Sequence, residues 1–324
     1  MSELDIVAVG RAGLDLYADQ VGVPFEKIQS FAAYVGGTPA NIAVGSRRLG
    51  LRTALITAVS VDPVGDFIVH FLKMAGVETR YISRKPATKS GMVLLGINPP
   101  DEFPRVHYRD DCSDHHLSID DVAALPIEMS RMLIVAGTNL THSPAREATL
   151  YAATQARERD VGVLLDLDYR PDLWQNPHVY ATSVRALVRE CGIVIGTAEE
   201  IAAAASGVRS DTTAASVRTA IRTLFKLGPE VIIEKRGALG SRVHLPDGEV
   251  VEAKGFRSDV QNTLGAGDAF AAGLLYGYLH DWTWHQAARF GNACGAFVVG
   301  RHGCSASCPT LEEVMVLVDE QGGL

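Results

Sequence analysis

Residues 262–279 read NTLGAGDAFAAGLLYGYL, three small residues and an aspartate followed at once by an apolar run. Gly265 and Gly267 can take backbone conformations closed to other residues, and Ala269, Phe270, Gly273, Leu274 and Gly277 continue as a buried helix. Gly265, Ala266 and Gly267 would then open that helix, where unpaired N–H groups and a partial positive charge suit an anion, phosphate above all. Asp268 falls inside the same site. A carboxylate is a poor neighbour for phosphate, which points to a task other than binding it; the competing reading is a plain helix cap.

A second cluster, YVGGTPANIAVGSRRLG, sets Gly36 and Gly37 before Thr38 and Pro39. Thr38 reads as an N-cap, Pro39 as the first helical residue and Asn41 as part of the first turn. Two glycines let backbone approach a ligand closely, and Asn41 can both donate to and accept from a hydroxyl. By its own residues the cluster serves equally well as the start of a helix or as a sugar site.

Other chemistries are disfavoured. No G-x-x-x-x-G-K-[ST] run occurs, which argues against a Walker-type NTPase. GAGDAF imitates part of a dinucleotide fingerprint, but Phe270 stands at the third glycine position and the motif does not open the first βαβ unit. Five scattered cysteines without a C-x-x-C pair read as reduced thiols. His115 and His116 beside Asp114 could suggest a metal, yet adjacent histidines point apart, so a solvated loop is expected there.

The elements that would carry these motifs alternate. Short β-rich runs (DIVAVG, TALITAV, RMLIVAG, VGVLLDLD, GIVIGT and EVIIEKRG) are separated by Ala-rich amphipathic segments. That pattern predicts an α/β fold, a mostly parallel sheet with helices on both faces and ligands at the carboxyl ends of its strands. Two stretches, about residues 13–34 and 88–110, break the rhythm; KSGMVLLGI and RVHYRD look like strands of a small β-sheet lid inserted in a single domain of residues 1–324. The Ala-rich segment from Ile201 reads as two surface helices broken near Gly207, and SRVHLPDGEVVEA as a hairpin turning on its Asp-Gly.

With 47% hydrophobic residues the chain can bury a large core, and a formal charge of −8 disfavours nucleic acid or an anionic membrane as partner. The start MSELDIVAVG has no basic region followed by a long apolar stretch, and the expected location is the cytoplasm.

GGTPAN early, KRGALGS late and NTLGAGD after it occur in that order and separation in the ribokinase-like (PfkB) carbohydrate kinases, and the chain resembles that family along its whole length. HGCSASCPT resembles the family's closing loop beside the nucleotide and its monovalent cation. Within the family, VGRAGLDL, HYRDDCSD, GTNLTHSPARE, DLDYRPDLW and GTAEE are most similar to the sugar-acid kinases of myo-inositol catabolism. Arg11, Arg109 and Arg170 bear on that choice, since guanidinium is the natural partner of a substrate carboxylate; ion pairs with Asp110 or Asp168 are the alternative for two of them.

The resemblance implies a three-layer α/β/α ribokinase-like fold and an ATP-dependent kinase with Mg2+, K+ being a further ion of the pattern. On it, Asp268 is the general base toward a sugar hydroxyl, and N–H groups of Gly265, Ala266 and Gly267 stabilise the transferring phosphoryl group. Asp15, expected in the loop after the first strand, and Gly36, Gly37 and Asn41 hold the sugar. Lys235, Gly237, Gly240 and Asn292 flank the nucleotide, and Glu199 orients magnesium through water. Lids of this kind often pair between two subunits, so a homodimer through the lid is a hypothesis the resemblance raises. The chain departs from the pattern at Gly196, where an asparagine is usual, and at Asn262, where an aspartate is usual, which leaves the metal shell and potassium dependence open. A kinase of 2-keto-3-deoxygluconate, a fructokinase or ribokinase, and a non-catalytic sugar sensor are the rival readings.

Overall fold

The computed structural model describes residues 3–98, 102–207 and 212–324. The first half of the chain builds β1 (Leu4–Val9), β2 (Gly13–Val21), β3 (Phe31–Gly36), α1 (Thr38–Arg48), β4 (Thr53–Ser60), α2 (Pro63–Met74), β5 (Ile82–Lys85), β6 (Met92–Ile97), β7 (Arg105–Tyr108), α3 (Ile119–Ala123), β8 (Ser130–Ala136) and α4 (Ala145–Glu158). The second half adds β9 (Gly162–Asp166), α5 (Pro177–Val188), β10 (Ile193–Thr197), α6 (Ala198–Ser206), α7 (Ala214–Phe225), β11 (Val231–Lys235), β12 (Ser241–His244), β13 (Val250–Ala253), α8 (Ala266–Leu279), α9 (Trp284–Val299) and α10 (Leu311–Glu320).

Nine strands form one sheet in the order β13-β12-β11-β10-β9-β8-β1-β4-β5. Pairing is parallel from β11 through β5 and antiparallel in the β11-β12-β13 meander, as the run pattern predicts. Alternate residues of each strand serve opposite faces: Val7 and Val9 enter the core beneath α4 to α7, while Ile6 and Ala8 enter the core beneath α1, α2 and α8. Burial on both faces is why these strands read as continuous apolar runs rather than alternating ones. The chain leaves β1 toward β4 on one side and returns as β8 on the other, so a crevice opens beyond the carboxyl end of β1.

The second sheet has four strands in the order β3-β2-β6-β7, the small sheet expected from the two irregular stretches; residues 99–101 of the second stretch lie outside the described residues. Its β2-β6 pairing is parallel and the other two are antiparallel.

Four local expectations are corrected. Thr38 does not cap α1: Gly37 occupies the N-cap, no side chain caps it, and the Thr38 hydroxyl instead donates to Asp168 at 3.0 Å. Asp15 lies within β2 rather than in a loop after the first strand. The Asp114–His115 stretch is not solvated, because both are buried in a short 3-10 helix where His115 stacks on His142 at 3.8 Å; only His116 faces water. The first Ala-rich helix, α6, buries Ile201 to Ala205 and is no surface helix, although it ends as expected on a left-handed Gly207.

Candidate active site

Asp268 in the first turn of α8 gathers Asn41 of α1, Lys235 at the end of β11 and Arg170 beyond the carboxyl end of β9. Gly265 is the N-cap of α8 in the left-handed region (φ 83°), and a side chain there would press on Cys304. Asp268, in the first turn, makes no capping bond, which sets aside the plain-cap reading. Its Oδ2 accepts a 2.7 Å hydrogen bond from Asn41 Nδ2 in the first turn of α1. Burial pushes the Asp268 carboxyl up to about 6; Asp168 adds to the rise, and Asn41, Arg170 and Lys235 oppose it. It is therefore a weaker acid than an ordinary carboxyl group, yet it is still mostly ionised at neutral pH.

The paired glycines before α1 have a steric reason. A Cβ on Gly36 would overlap the Asp15 carboxylate, and one on Gly37 (φ 114°) would strike the carbonyl of Arg11. The two backbones therefore close on each other and bring Asp15, Arg11 and Asn41 to one wall. Arg11 holds Asp15 at 3.2 Å. Burial raises the Asp15 carboxyl and lowers the Arg11 guanidinium, and each partner's charge works against that shift.

All three expected carboxylate readers already hold internal partners, Arg11 on Asp15 and the other two as follows. Arg109 is buried against Asp114 at 2.6 Å, with His115 Nε2 3.1 Å away, so its partner is Asp114 and not Asp110. Arg170 gives Nε to Asp168 at 2.8 Å while its side chain stays 37% exposed, and the opposing Asp168 charge raises its pKa. Asp168 is buried, with a left-handed backbone (φ 35°), and also accepts from Thr38 and Thr138 (2.8 Å).

Lys235, at the end of β11, places Nζ within 3.1 Å of both Asp166 oxygens and 3.9 Å from Glu200. The same ammonium is 3.3 Å from where a Cβ on Gly267 would stand, so it lies against the opening turn of α8. Burial lowers the Lys235 pKa, but Asp166 and Glu200 more than offset it and the net shift is upward. Burial raises the Asp166 carboxyl, and the Lys235 ammonium on both of its oxygens opposes that rise.

Glu199, expected near magnesium, is exposed in the first turn of α6. It is the next residue, Glu200, whose carboxylate turns inward, closing a capping box with Thr197 and facing Lys235. The departure at Gly196 follows from this: a side chain there would meet Leu167 at 2.7 Å and Glu200 at 3.3 Å, so the space is already filled. Asn262 is fully buried; its Oδ1 accepts from Leu264 N at 3.0 Å, a turn that leads into Gly265, and its Nδ2 has no partner.

The four expected nucleotide residues do not all meet. Gly240 (φ 89°) and Asn292 converge on the end of β13, where Asn292 Nδ2 donates to the Ala253 and Lys254 carbonyls and a Cβ on Gly240 would overlap Ala253 O. Gly237 has open space around it, and only Lys235 reaches the first turn of α8. Asp166 and Glu200 were not singled out from the sequence, and Thr38 and Asp168 were read there only as a helix cap and an ion-pair partner. Alternate carboxylates in DLD at a strand's carboxyl end, and Thr-Ala-Glu-Glu as a capping box after β10, are the signals that could have found them.

A family model for pfkB family carbohydrate kinases matches residues 3–311. A 5-dehydro-2-deoxygluconokinase of Shouchella clausii is 37% identical over 322 residues, covering 98% of this chain and 97% of its own. One of Bacillus subtilis is 36% identical, covering 98% and 96%. Among solved structures, a fructokinase with bound ATP from Xylella fastidiosa superposes with TM-score 0.86 at 25% identity, covering 98% of both chains. A putative ribokinase II from E. coli reaches TM-score 0.88 at 21% identity, over 98% of this chain and 100% of its own, a likeness of fold. With matches that run from the first strand to the last helix, this protein belongs to the pfkB family of carbohydrate kinases.

Proposed function

We propose that this sugar kinase transfers the γ-phosphoryl group of ATP to the primary hydroxyl of 5-dehydro-2-deoxy-D-gluconate, giving the 6-phosphate. The observation that carries the reading is the meeting of Asp268 and Asn41 beside a wall of arginines that a neutral sugar would not need. The names of the full-length relatives support the same substrate.

Asp268 accepts the hydroxyl proton as the sugar oxygen forms its bond to Pγ; the bond from Pγ to the bridging oxygen breaks and ADP leaves. Gly265 to Gly267 present backbone N–H groups to the equatorial oxygens, and Lys235 adds a fixed positive charge beside that turn. Asp15, Gly36, Gly37 and Asn41 line the sugar, with Arg11, Arg109 and Arg170 behind them. Gly237, Gly240 and Asn292 belong to the nucleotide side.

Among the described residues no group of three or more His, Cys, Asp or Glu is arranged to hold a metal ion. The donor set therefore suits magnesium carried in on ATP, with Glu199 and Glu200 at the α6 N-terminus as its protein contacts, rather than a caged resident ion. Such an ion would neutralise charge between the β- and γ-phosphates.

The small sheet is read as the lid. Its inner side carries Asp15 and Tyr17, and Tyr17 O–H touches Cys304 in the loop beneath Gly265, which ties the sheet to the phosphate end. Its outer side carries Leu14, Leu16, Ala33 and Leu94 together with the exposed Val106 and Tyr108. A homodimer joined through this side would cover it; light scattering that returns only monomer mass refutes that part.

No helix among the described residues is long and apolar enough to cross a membrane. The deciding assay follows ADP formation with magnesium-ATP against 5-dehydro-2-deoxygluconate, 2-keto-3-deoxygluconate, fructose and ribose, with and without potassium. Selective turnover of the first acid supports the reading, and preference for any other member overturns the substrate while keeping the mechanism.

A further inference from the structure

Arg105 and His107 alternate along β7, and Arg109 continues the same parity just beyond it. Register fixes where they point. Arg105 lies opposite Leu95 and His107 opposite Val93, the residues that cluster with Tyr17 on the inner side, while Val106 and Tyr108 face out. His107 Nε2 stands 3.2 Å from Asp172 Oδ2, without the angle of a hydrogen bond, and Asp172 follows Arg170 by two residues. The inner side of β7 therefore overhangs the segment that leaves β9 and carries Arg170.

Three arginines of this cleft are matched: Arg11 by Asp15 at 3.2 Å, Arg109 by Asp114 at 2.6 Å and Arg170 by Asp168 at 2.8 Å. Among the described residues Arg105 has no carboxylate within 4.0 Å and no hydrogen bond. It is nonetheless near enough to feel its surroundings: burial first, then the Arg170 charge, lower its pKa, while Asp172 and Asp168 raise it. Arg105, exposed on the inner side of the small sheet, and Arg170, on the main body, thus lie near enough for their charges to interact. Arg170 spends only Nε on Asp168, which leaves its Nη groups for a further anion.

We propose that Arg105 is a specificity-determining residue that takes the substrate's carboxylate, clamping it from the small sheet against Arg170 on the body. This rests on the sugar-acid reading above. A carboxylate has two oxygens and so can accept from both forks at once. Acid substrates would then bridge the two sheets and complete the closed site, and neutral sugars would not.

The test uses the full chain, with Arg105→Ala and Arg105→Lys assayed beside the wild type for 5-dehydro-2-deoxygluconate, ATP and fructose. Arg105→Ala should raise KM for the acid about 10- to 100-fold, as expected for a lost charge-assisted bond, with KM for ATP changed less than about twofold. Arg105→Lys should recover part of the loss, because an ammonium keeps the charge and loses the fork. Wild type that uses the acid while Arg105→Ala leaves its KM within about twofold overturns the clamp alone, as does a parallel rise in KM for ATP. Wild type that ignores the acid and phosphorylates fructose overturns the sugar-acid reading and the clamp with it.

Discussion

The bond from Asn41 to Asp268 offers the sharpest test of the proposed base. Only the amide nitrogen of Asn41 can donate to an ionised carboxylate, so the 2.7 Å contact favours the charged form and holds the Asp268 pKa below what burial alone would set. Asn41→Ala removes that donor. A hydrogen bond to a charged group contributes about 1.5–3 kcal/mol, and one pKa unit corresponds to about 1.4 kcal/mol, so complete loss would raise the carboxyl by about one to two units. Water entering the vacated space restores part of it, and the expected rise is about one unit above the starting value of about 6.

The sign follows from the role: the base works only when ionised, so activity is lost as pH falls through the folded pKa. The acid limb of kcat/KM, which reports the free enzyme, should move from about 6 in the wild type to about 7 in the variant. At pH 6 the ionised fraction would drop from about one half to about one tenth, a fivefold loss, while at pH 9 ionisation would be nearly complete in both. Any lost sugar contact lowers the whole profile and leaves its midpoint where it was. A midpoint that stays within about 0.3 units of the wild type would refute the electrostatic role given to Asn41.

Three further outcomes follow from the same geometry. Asp268→Asn should reduce kcat by about 10²–10⁴-fold while ATP binding, followed by calorimetry, persists; an unaffected rate removes Asp268 as the base. Gly36→Ala forces the Asp15 carboxylate aside and should raise KM for the sugar about tenfold or more, with a loss of about 1–3 kcal/mol in urea unfolding; unchanged KM would detach Asp15 from the sugar. Asp168→Ala strands the hydroxyls of Thr38 and Thr138 and the Arg170 guanidinium. It should cost about 2–3 kcal/mol, below the value for a fully buried pair because Arg170 keeps access to water; a loss under about 1 kcal/mol would contradict this.

Much of this protein is legible in its residues. The parallel sheet is visible because strands buried on both faces must be apolar throughout, and β1, β4, β8, β9, β10 and β11 all fall on runs that meet that demand. The Gly265 to Asp268 turn is legible too, since a left-handed residue before a helix and a carboxylate in its first turn are local features. What only the folded chain decides is which distant groups meet. Nothing in a linear reading tells that Thr38 gives its hydroxyl to Asp168, 130 residues away, instead of capping its own helix. Nor does it tell that Glu200, and not Glu199, turns toward Lys235, because that choice depends on which direction the first turn of α6 takes as it leaves β10. The Asp268 pKa belongs to the same class: it is set by burial, by the Asn41 amide of α1 and by charges from β11 and the segment that follows β9, so the sequence names the acid and the tertiary structure sets its strength.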